Sequence, residues 1–440
     1  MPHSHHSHSG QYCSHAHSAL DDILARAASL GFRSYALTEH VPRALPTELY
    51  PEEIHAGIDN DKLISRFKHY LAHARKLQHH YHTTHNSIEV LVACETESTD
   101  GVQGNHLDFF VDFINSLSPS PSPSVSPARI GTGVLDYILG SVHHIHSIPI
   151  DFDQHTFTNA LQHYAPKHHS AERQHRALIE DYLDAQYHLL HRLRPEVIGH
   201  FDLCRLYAPD TPMRPSHSHS DSESGSNELE PIWSKVQRNV RFAASYGALF
   251  EINSASFRKG WKTAYPGRDI LDLILSLGGR ICLSDDSHGT HQVGQNYTQT
   301  RTYLLSLTPS PPLLWYLRRR RPIPTHEQVD EEEEELARGV REQSERPGAN
   351  APTLFARGTQ AVPCWEQDWA GWPGWQKMQE EEMQEAESTQ EAKPTASSGA
   401  EKTQGAKPTA FSGAEKMQGA EKMQETESTQ EAKPTASSES

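Results

Sequence analysis

Residues 232–256, with the sequence IWSKVQRNVRFAASYGALFEINSAS, contain the unit that decides the fold. Apolar residues recur at helical spacing up to residue 246, and Gly247 is typical of a helix C-terminus because glycine adopts left-handed backbone angles without strain. The following residues, 248–256, begin with an apolar run and end in polar side chains. This pattern predicts a helix followed by a buried strand whose polar end lies at the edge of a parallel sheet.

The same alternation of strands and helices extends over residues 14–320. Strands are predicted at 34–40, 88–97, 137–145, 196–202, 248–256 and 280–288. Helices are predicted at 20–31, 61–78, 175–193, 232–247 and 268–279. Such alternation indicates an α/β fold with parallel strands, as a barrel or a doubly wound sheet. We favour the barrel because ionisable residues end almost every strand, where (β/α) barrels collect their active-site groups.

The composition narrows the class of protein. The chain has 440 residues and a formal net charge of −17, so a nucleic-acid-binding surface is not expected. No apolar run reaches the ~20 residues of a membrane span, and no apolar signal region follows Met1. The five cysteines are scattered without a CxxC pair, which is typical of a reducing compartment. We therefore expect a cytoplasmic protein without a nucleic-acid or membrane partner.

Composition also divides the chain into a folded domain, 1–320, and a tail, 321–440. Two Ser/Pro-rich stretches within the domain, at about 116–128 and 211–231, are too polar to pack. We expect both to be surface insertions.

The tail is acidic and contains the sequence ESTQEAKPTASS twice, at 387–398 and 427–438. A repeat this polar cannot bury a core, so the tail is predicted to be disordered. Its tryptophan-rich segment, 364–376, is either a partner-binding segment or a sticky stretch, and its partner is unknown.

Imidazole and carboxylate side chains recur at the ends of the predicted strands. In His6-Ser-His8 the HxH spacing points both rings to one face of an extended chain, and Asp286-x-His288 has the same spacing. The candidate metal ligands are His6, His8, His15, His40, Glu95, His143, His200, Asp286 and His288. These donors exceed what one ion can use and include no cysteine, so they predict two or three divalent ions of Zn, Mn or Fe. Glu95 is the natural bridge, since its two oxygens can each bind one ion.

A metal cluster of this kind generates a hydroxide nucleophile at neutral pH and neutralises charge on a phosphoryl oxygen. We therefore expect hydrolysis of a small phosphate ester, in which a metal-bridging hydroxide attacks phosphorus and an unassigned Asp or His protonates the leaving oxygen. Arg258 and Arg205 are the first candidates to bind the substrate phosphate, followed by Lys259, because guanidinium binds phosphate through two hydrogen bonds. The chain contains neither a GxSxG nucleophile motif nor a Walker A lysine.

The motifs HSHHSHSG, LTEH, ETE, GSVHH, IGHFDL, EINSASFRKG and SDDSHG, in this order, resemble the polymerase-and-histidinol-phosphatase (PHP) superfamily. More narrowly, they resemble its fungal histidinol-phosphatases, over residues 1–315. The resemblance implies a distorted (β/α)7 TIM-like barrel with a trinuclear metal site at the C-terminal ends of the strands. It also implies hydrolysis of L-histidinol phosphate to L-histidinol and inorganic phosphate in histidine biosynthesis.

Carried over motif by motif, the ligands implied by the resemblance are the nine residues named above. Asp202, in GHFD, then corresponds to a residue behind the ligands that orients an imidazole. The closing motif SDDSH offers Asp285 as an alternative ligand, but Asp286 has the required spacing to His288. We therefore place Asp285 behind the ligands as well.

Two other functions stay open on the sequence alone. Another phosphoesterase of the same superfamily would act on a different substrate. A histidine-rich metal-binding protein would instead bind a variable number of ions through the histidines of residues 69–85 and 217–219. Metal content measured beside phosphate release would distinguish these possibilities.

The N-terminal histidines pose a question of register, because His3-Ser-His5 has the same spacing as His6-Ser-His8. The alignment with the PHP motif favours the second pair as ligands, which makes His3 and His5 bystanders. On this interpretation, deletion of residues 2–5 should leave the activity largely intact.

Overall fold

The computed structural model describes residues 2–84, 88–118, 126–215, 223–320 and 353–380. The helices are α1 (Leu20–Leu30), α2 (Pro51–His55), α3 (Asn60–Thr83), α4 (Asn105–Ser116), α5 (Gln154–Gln162), α6 (Ala171–Leu193), α7 (Glu223–Ser245), α8 (Ala255–Arg258), α9 (Arg268–Ser276), α10 (Tyr297–Leu305) and α11 (Glu366–Trp369). The strands are β1 (His3–Ser4), β2 (Ser34–Leu37), β3 (Glu89–Glu95), β4 (Tyr137–Gly140), β5 (His144–Ile145), β6 (Ile148–Pro149), β7 (Val197–Ile198), β8 (Leu249–Asn253), β9 (Arg280–Ser284), β10 (Leu314–Arg319), β11 (Thr353–Leu354) and β12 (Thr359–Cys364).

Ten of these strands form one mostly parallel sheet in the order β1-β2-β3-β4-β7-β8-β9-β10-β12-β11. Pairing is parallel from β1 through to β10, and β12 is antiparallel to both β10 and β11. Strands β5 and β6 form a separate antiparallel hairpin. The predicted α/β fold with parallel strands is therefore confirmed. No helix within the described ranges is long and apolar enough to span a membrane.

Both faces of the parallel sheet are buried. Along β3, Val90 and Val92 pack with the apolar residues of the helices, whereas Leu91 and Ala93 belong to a smaller cluster on the other face. This arrangement explains why the strands appear in the sequence as continuous apolar runs. It also leaves the strand ends as the place where polar side chains can gather.

The helix, glycine and strand of residues 232–256 form as predicted, as α7, Gly247 and β8. Gly247 has φ of 82°, and a Cβ at this position would lie 2.9 Å from the Thr353 side chain. Helix α7 begins at Glu223, so the last part of the predicted insertion 211–231 is helical instead. Residues 216–222, and residues 119–125 of the other predicted insertion, lie outside the described residues.

Residues 353–380 correct the predicted boundary at residue 320, because they are folded rather than disordered. Strand β12 pairs along the whole of β10, and it belongs to the same compact unit as the parallel sheet. Trp369 and Trp375 are buried against the helices. The local amino-acid composition could not predict that residues 353–380 are folded. Their apolar contacts are made with the domain, and the sequence on either side of them is polar. The rest of the predicted tail, 321–352 and 381–440, lies outside the described residues.

Arg357 anchors this C-terminal segment. Its side chain is fully buried and lies 2.7 Å from the Glu196 carboxylate. It also donates hydrogen bonds to the backbone carbonyls of Ile130, Leu193 and Pro127. The guanidinium therefore joins residues 353–380 to the loops that precede β4 and β7.

Replacing Arg357 by Ala is expected to lower the free energy of unfolding by about 3–5 kcal/mol, because the buried Glu196 carboxylate loses its cation. Urea unfolding followed by circular dichroism measures this loss. The control Lys377→Ala removes an exposed cation of the same segment and should change stability by less than about 0.5 kcal/mol. Equal stabilities of the two variants would show that Arg357 does not anchor the segment.

Candidate metal centre

The predicted ligands come from separate strands and meet at one end of the sheet. Residues 6–8 continue β1, His40 follows β2, and Glu95 ends β3. His143 follows β4, His200 follows β7, and residues 286–288 follow β9. Parallel pairing places the C-terminal ends of these strands at the same edge, as the bridge between His40 and Glu95 illustrates. The structure thus brings together His6, His8, His40, Glu95, His143, His200, Asp286 and His288.

Glu95 lies at the centre of this cluster, and its side chain is 1% exposed. Its Oε2 lies 3.1 Å from the Nε2 atoms of both His6 and His8. Its Oε1 lies 3.2 Å from Nε2 of His143 and 3.1 Å from Nε2 of His200. Oε2 also lies 3.3 Å from Nδ1 of His40. Each carboxylate oxygen therefore faces at least two imidazole nitrogens, which is the arrangement expected of a bridging carboxylate.

Carboxylates behind the imidazoles fix the orientation of the rings. Glu251 accepts a hydrogen bond from Nδ1 of His6 at 3.1 Å. Glu97 lies 2.7 Å from Nδ1 of His40 and accepts a hydrogen bond from Arg43. For His6, a carboxylate on Nδ1 selects the tautomer whose Nε2 lone pair points towards Glu95. Nδ1 of His40 instead lies near both Glu97 and Oε2 of Glu95, the latter at 3.3 Å. In the sequence, Glu97 lies in the strand-end motif ETE and Glu251 in the motif EIN. No rule of spacing distinguishes these two acids from metal ligands.

The donor set fits divalent cations. The Nε2 atoms of His6 and His8 are 3.0 Å apart, and those of His143 and His200 are 3.2 Å apart. Two neutral imidazoles cannot satisfy each other through lone pairs, so a cation or a shared proton must lie between such nitrogens. His40 Nε2 is likewise buried with no hydrogen-bond partner among the described residues. A cluster of imidazole and carboxylate donors of this kind suits Zn, Mn or Fe.

A third group of donors includes a residue that the sequence interpretation missed. Ligand atoms of His8, Cys13, His40 and His288 all lie within 4.8 Å of one another. His15 is also near, with its ring centre 5.1 Å from that of His288, but its Nδ1 lies 3.0 Å from Glu52 at the exposed rim. The geometry places the buried Cys13 thiol among the imidazoles, so it is a candidate donor beyond the imidazole and carboxylate set of the sequence interpretation. No rule of spacing identifies Cys13 as a donor within QYCSH, residues 11–15.

The two aspartates of SDDSH differ in environment. Burial raises the pKa of Asp285 to about 6, and its carboxylate accepts hydrogen bonds from Ser4 and the Gly294 backbone. Burial would also raise the pKa of Asp286, but the nearby His6 and His288 outweigh it and hold that pKa well below its usual range. Asp286 lies 3.4 Å from Nε2 of His6. The ionised Asp286 thus faces the clustered imidazoles, whereas the Asp285 carboxylate is turned towards Ser4 and the Gly294 backbone.

The arginines predicted to bind phosphate are engaged elsewhere. Arg258 donates hydrogen bonds to the backbone carbonyls of Asp285 and Asp286, at 3.0 and 2.9 Å. It therefore supports the loop that carries the ligands, where Asp286 has a positive φ of 48°. Lys259, the third candidate for phosphate binding in the sequence analysis, instead lines the cleft above the centre.

Arg205 and Asp202 do not lie where their predicted roles, in binding phosphate and in orienting an imidazole, would require. They form a buried ion pair with each other, and Arg205 also pairs with Asp269 at 3.0 Å. Asp202 further accepts a hydrogen bond from the Gly267 backbone at 2.9 Å, and no imidazole among the described residues donates to it. Neither residue lines the cleft. The pair holds the segment after β7 to the start of α9, a contact over more than sixty residues that motif spacing cannot reveal.

The sequence matches the family model of the PHP domain over residues 4–255, which is more than half of the chain. The chain belongs to the PHP domain family. The matched region contains six of the eight clustered ligands and ends before Asp286 and His288. In this PHP chain the last strand of the metal centre is therefore recognised by its geometry rather than by the family match.

Two curated proteins of fungi are similar to this PHP chain. It is 40% identical over 304 residues to the "Probable histidinol-phosphatase" of Schizosaccharomyces pombe, covering 69% of this chain and 86% of that protein. It is 31% identical over 320 residues to the "Histidinol-phosphatase" of Saccharomyces cerevisiae, covering 69% of this chain and 88% of that protein.

Two solved structures also align with this chain. The hisK protein of Listeria monocytogenes aligns with a TM-score of 0.49 and 19% identity, covering 68% of this chain and 99% of that one. The histidinol phosphate phosphatase of Lactococcus lactis, solved with zinc, L-histidinol and phosphate, aligns with a TM-score of 0.39 and 16% identity, covering 68% of this chain and 93% of that one.

Proposed function

We propose that this PHP chain hydrolyses L-histidinol phosphate to L-histidinol and inorganic phosphate. The observation that carries the proposal is the buried Glu95 carboxylate, whose two oxygens each face a pair of imidazole nitrogens. Such a centre suits phosphate esters, because divalent ions bound there supply Lewis-acid stabilisation of charge on the phosphoryl oxygens. The names of the two fungal relatives support L-histidinol phosphate as the substrate.

The proposed ligands fall into three groups around the cleft. His6, His8 and Asp286 would hold one ion with Glu95 Oε2, and His143 and His200 would hold a second with Glu95 Oε1. A third ion would be held by His40 and His288, with His15 or the Cys13 thiol. Two or three ions of Zn, Mn or Fe match this set, and a thiolate ligand would favour the softer Zn or Fe at the third position.

Side chains around the metal centre would bind and orient the substrate. Lys259 is exposed at the cleft and is the cation best placed to attract the phosphate. Arg258 would not contact the substrate. It would position the ligand loop, because its hydrogen bonds hold the carbonyls of Asp285 and Asp286. Glu251 and Glu97 keep the imidazoles in position, so that the centre needs little rearrangement as the substrate binds.

We further propose that the parallel strands close into a distorted (β/α)7 barrel. The extension of β1 supports this, since His8 donates a backbone hydrogen bond to Ser287 at 2.8 Å and Ser7 forms a parallel bridge with Ser287. The seven strands from β1 to β9 in the sheet order would form the barrel. The metallophosphatase domain would then comprise residues 1–320 together with 353–380.

Phosphate release by the purified protein tests the proposed function. L-histidinol phosphate should be hydrolysed far faster than β-glycerophosphate, and metal analysis should find two or three tightly held ions per chain. Equal rates on both esters would favour a PHP phosphoesterase with a different substrate. Absence of hydrolysis together with a variable number of ions would favour a metal-binding protein instead.

A further inference from the structure

The metal centre opens into a cleft of about 180 Å³. On the walls beyond the imidazoles lie Tyr50, Asp151, Phe152, Leu203 and Lys259. Lys259 is the side chain that suits a phosphate, whereas Tyr50, Phe152 and Leu203 offer aromatic and apolar surface. Asp151 is the carboxylate among these wall residues, and the proposed chemistry at phosphorus gives it no role.

No described residue is paired with the side chain of Asp151. Its Oδ1 is buried and accepts no hydrogen bond, and the residue forms no ion pair with any other described residue. The carboxylates closer to the centre differ, since Glu95, Glu97 and Glu251 each face imidazole or guanidinium groups. A buried carboxylate oxygen without a partner is costly, so its presence beside a cleft indicates that a ligand satisfies it.

The backbone holds Asp151 at a fixed place relative to the metal centre. It directly follows the β5–β6 hairpin, and the Ile150 backbone donates a hydrogen bond to the His143 carbonyl at 2.9 Å. The Tyr207 hydroxyl donates a hydrogen bond to the Asp151 carbonyl at 3.5 Å. The carboxylate is therefore carried on a short segment tied to a residue of the centre.

We propose that Asp151 binds the ammonium group of the substrate and thereby selects amino-alcohol phosphates over other phosphomonoesters. The inference rests on the proposed function, because L-histidinol phosphate carries a cationic amino group one carbon from the ester carbon. Asp151 repels the phosphate while Lys259 attracts it, so the two charges orient the substrate with its phosphate towards the metals. The aromatic surface of Tyr50 and Phe152 is then left for the imidazole ring.

The test compares Asp151→Asn with the wild-type protein on two esters, L-histidinol phosphate and its analogue without the amino group, 3-(imidazol-4-yl)propyl phosphate. Asn keeps the size of the side chain and removes its charge. We expect kcat/KM for L-histidinol phosphate to fall about 10- to 100-fold, mainly through a higher KM. A loss of this size corresponds to the free energy of one hydrogen bond to a charged group. The value for the analogue should change less than about twofold, because the analogue makes no such bond.

Asp153→Asn is the matched control. Asp153 lies two residues further along, is exposed, and caps α5 by accepting a hydrogen bond from Thr156, a role that Asn retains. It should leave the ratio of the two substrates unchanged. A second measurement, inhibition by L-histidinol, should weaken in Asp151→Asn while inhibition by inorganic phosphate does not.

Two outcomes would overturn the inference while the proposed function stands. In one, Asp151→Asn lowers kcat/KM equally for both esters. In the other, the wild-type protein does not distinguish them although it hydrolyses L-histidinol phosphate. A wild-type protein that hydrolyses neither ester would overturn the proposed function, and the role of Asp151 with it.

Discussion

Glu95→Gln is expected to lower kcat/KM for phosphate release from L-histidinol phosphate at least about 1,000-fold, since a shared ligand supports several kcal/mol of charge stabilisation. Both oxygens of Glu95 face imidazole pairs, so the amide replaces one of two anionic donors with a group that cannot bind a cation. The bound metal should fall by at least one ion per chain. Steady-state kinetics and metal analysis by mass spectrometry measure the two effects independently.

The protonation state of Glu95 explains why the substitution should act on the metals rather than on the fold. Burial would raise the pKa of this carboxyl, but the neighbouring His6 and His143 outweigh it and hold the pKa well below its usual range. Glu95 is therefore ionised, and its negative charge attracts the surrounding imidazoles and any bound cation. Gln has the same shape, so thermal unfolding after chelation should be similar in the two proteins.

Glu89→Gln is the matched control, because Glu89 begins the strand that Glu95 ends. Its carboxylate accepts a hydrogen bond from the Arg319 backbone, which the amide oxygen of Gln can also accept. Activity and metal content should stay within about twofold of the wild type, as for other substitutions away from the site. Full metal content in Glu95→Gln would mean that this carboxylate does not bridge the ions.

The metal centre was largely predictable because its ligands follow a local rule. Each lies at the end of an apolar strand, and parallel pairing brings those ends together whatever the lengths of the intervening helices. The spacing of Asp286 and His288 singled out the aspartate that lies beside the clustered imidazoles, 3.4 Å from Nε2 of His6. The roles of Arg205 and Cys13 were not predictable, because the first depends on Asp269 and the second on the course of the loop between His8 and His15.

In the fold, too, the elements determined by local sequence were predictable and those determined by long-range contacts were not. Strands β2, β3, β8 and β9 have the apolar runs that predict buried parallel strands, and they were found with errors only at their ends. Strand β12 has the sequence TQAVPC and lies near long polar stretches, so its composition gave little indication of a strand. Its stability comes from pairing with β10 and from the burial of Arg357, both of which are long-range contacts.

The N-terminal histidines show where a motif comparison is least informative. His3 and His5 are buried, and neither belongs to the clustered metal ligands. His3 accepts a hydrogen bond from the Leu283 backbone at 2.8 Å, and His5 accepts one from the Leu317 backbone at 2.9 Å. Burial lowers the pKa of His5 to about 3, so this ring stays neutral and can accept. These residues join β1 to β9 and β10, a structural role that the sequence interpretation did not assign to them.

Deletion of residues 2–5 is therefore expected to abolish folding, in contrast to the effect predicted from the sequence alone. It removes β1, the Ser4 hydrogen bond to Asp285 and two imidazoles that satisfy buried backbone donors. Each buried donor left without a partner costs about 1–3 kcal/mol, and the sum approaches the 5–15 kcal/mol that stabilises a typical domain. Soluble yield and the cooperativity of urea unfolding measure the result.

A chain ending at residue 380 is the control for this deletion, since it keeps every described residue and should fold and retain its activity. His5→Ala gives a graded version of the same test. It leaves the Leu317 backbone donor unpaired, so it should lower the free energy of unfolding by about 1–3 kcal/mol without removing metal. A deletion variant that stays soluble, binds its ions and hydrolyses L-histidinol phosphate at the wild-type rate would show that β1 is dispensable. The contacts of His3, Ser4 and His5 predict the opposite, because each of them supports a strand or loop that carries the centre.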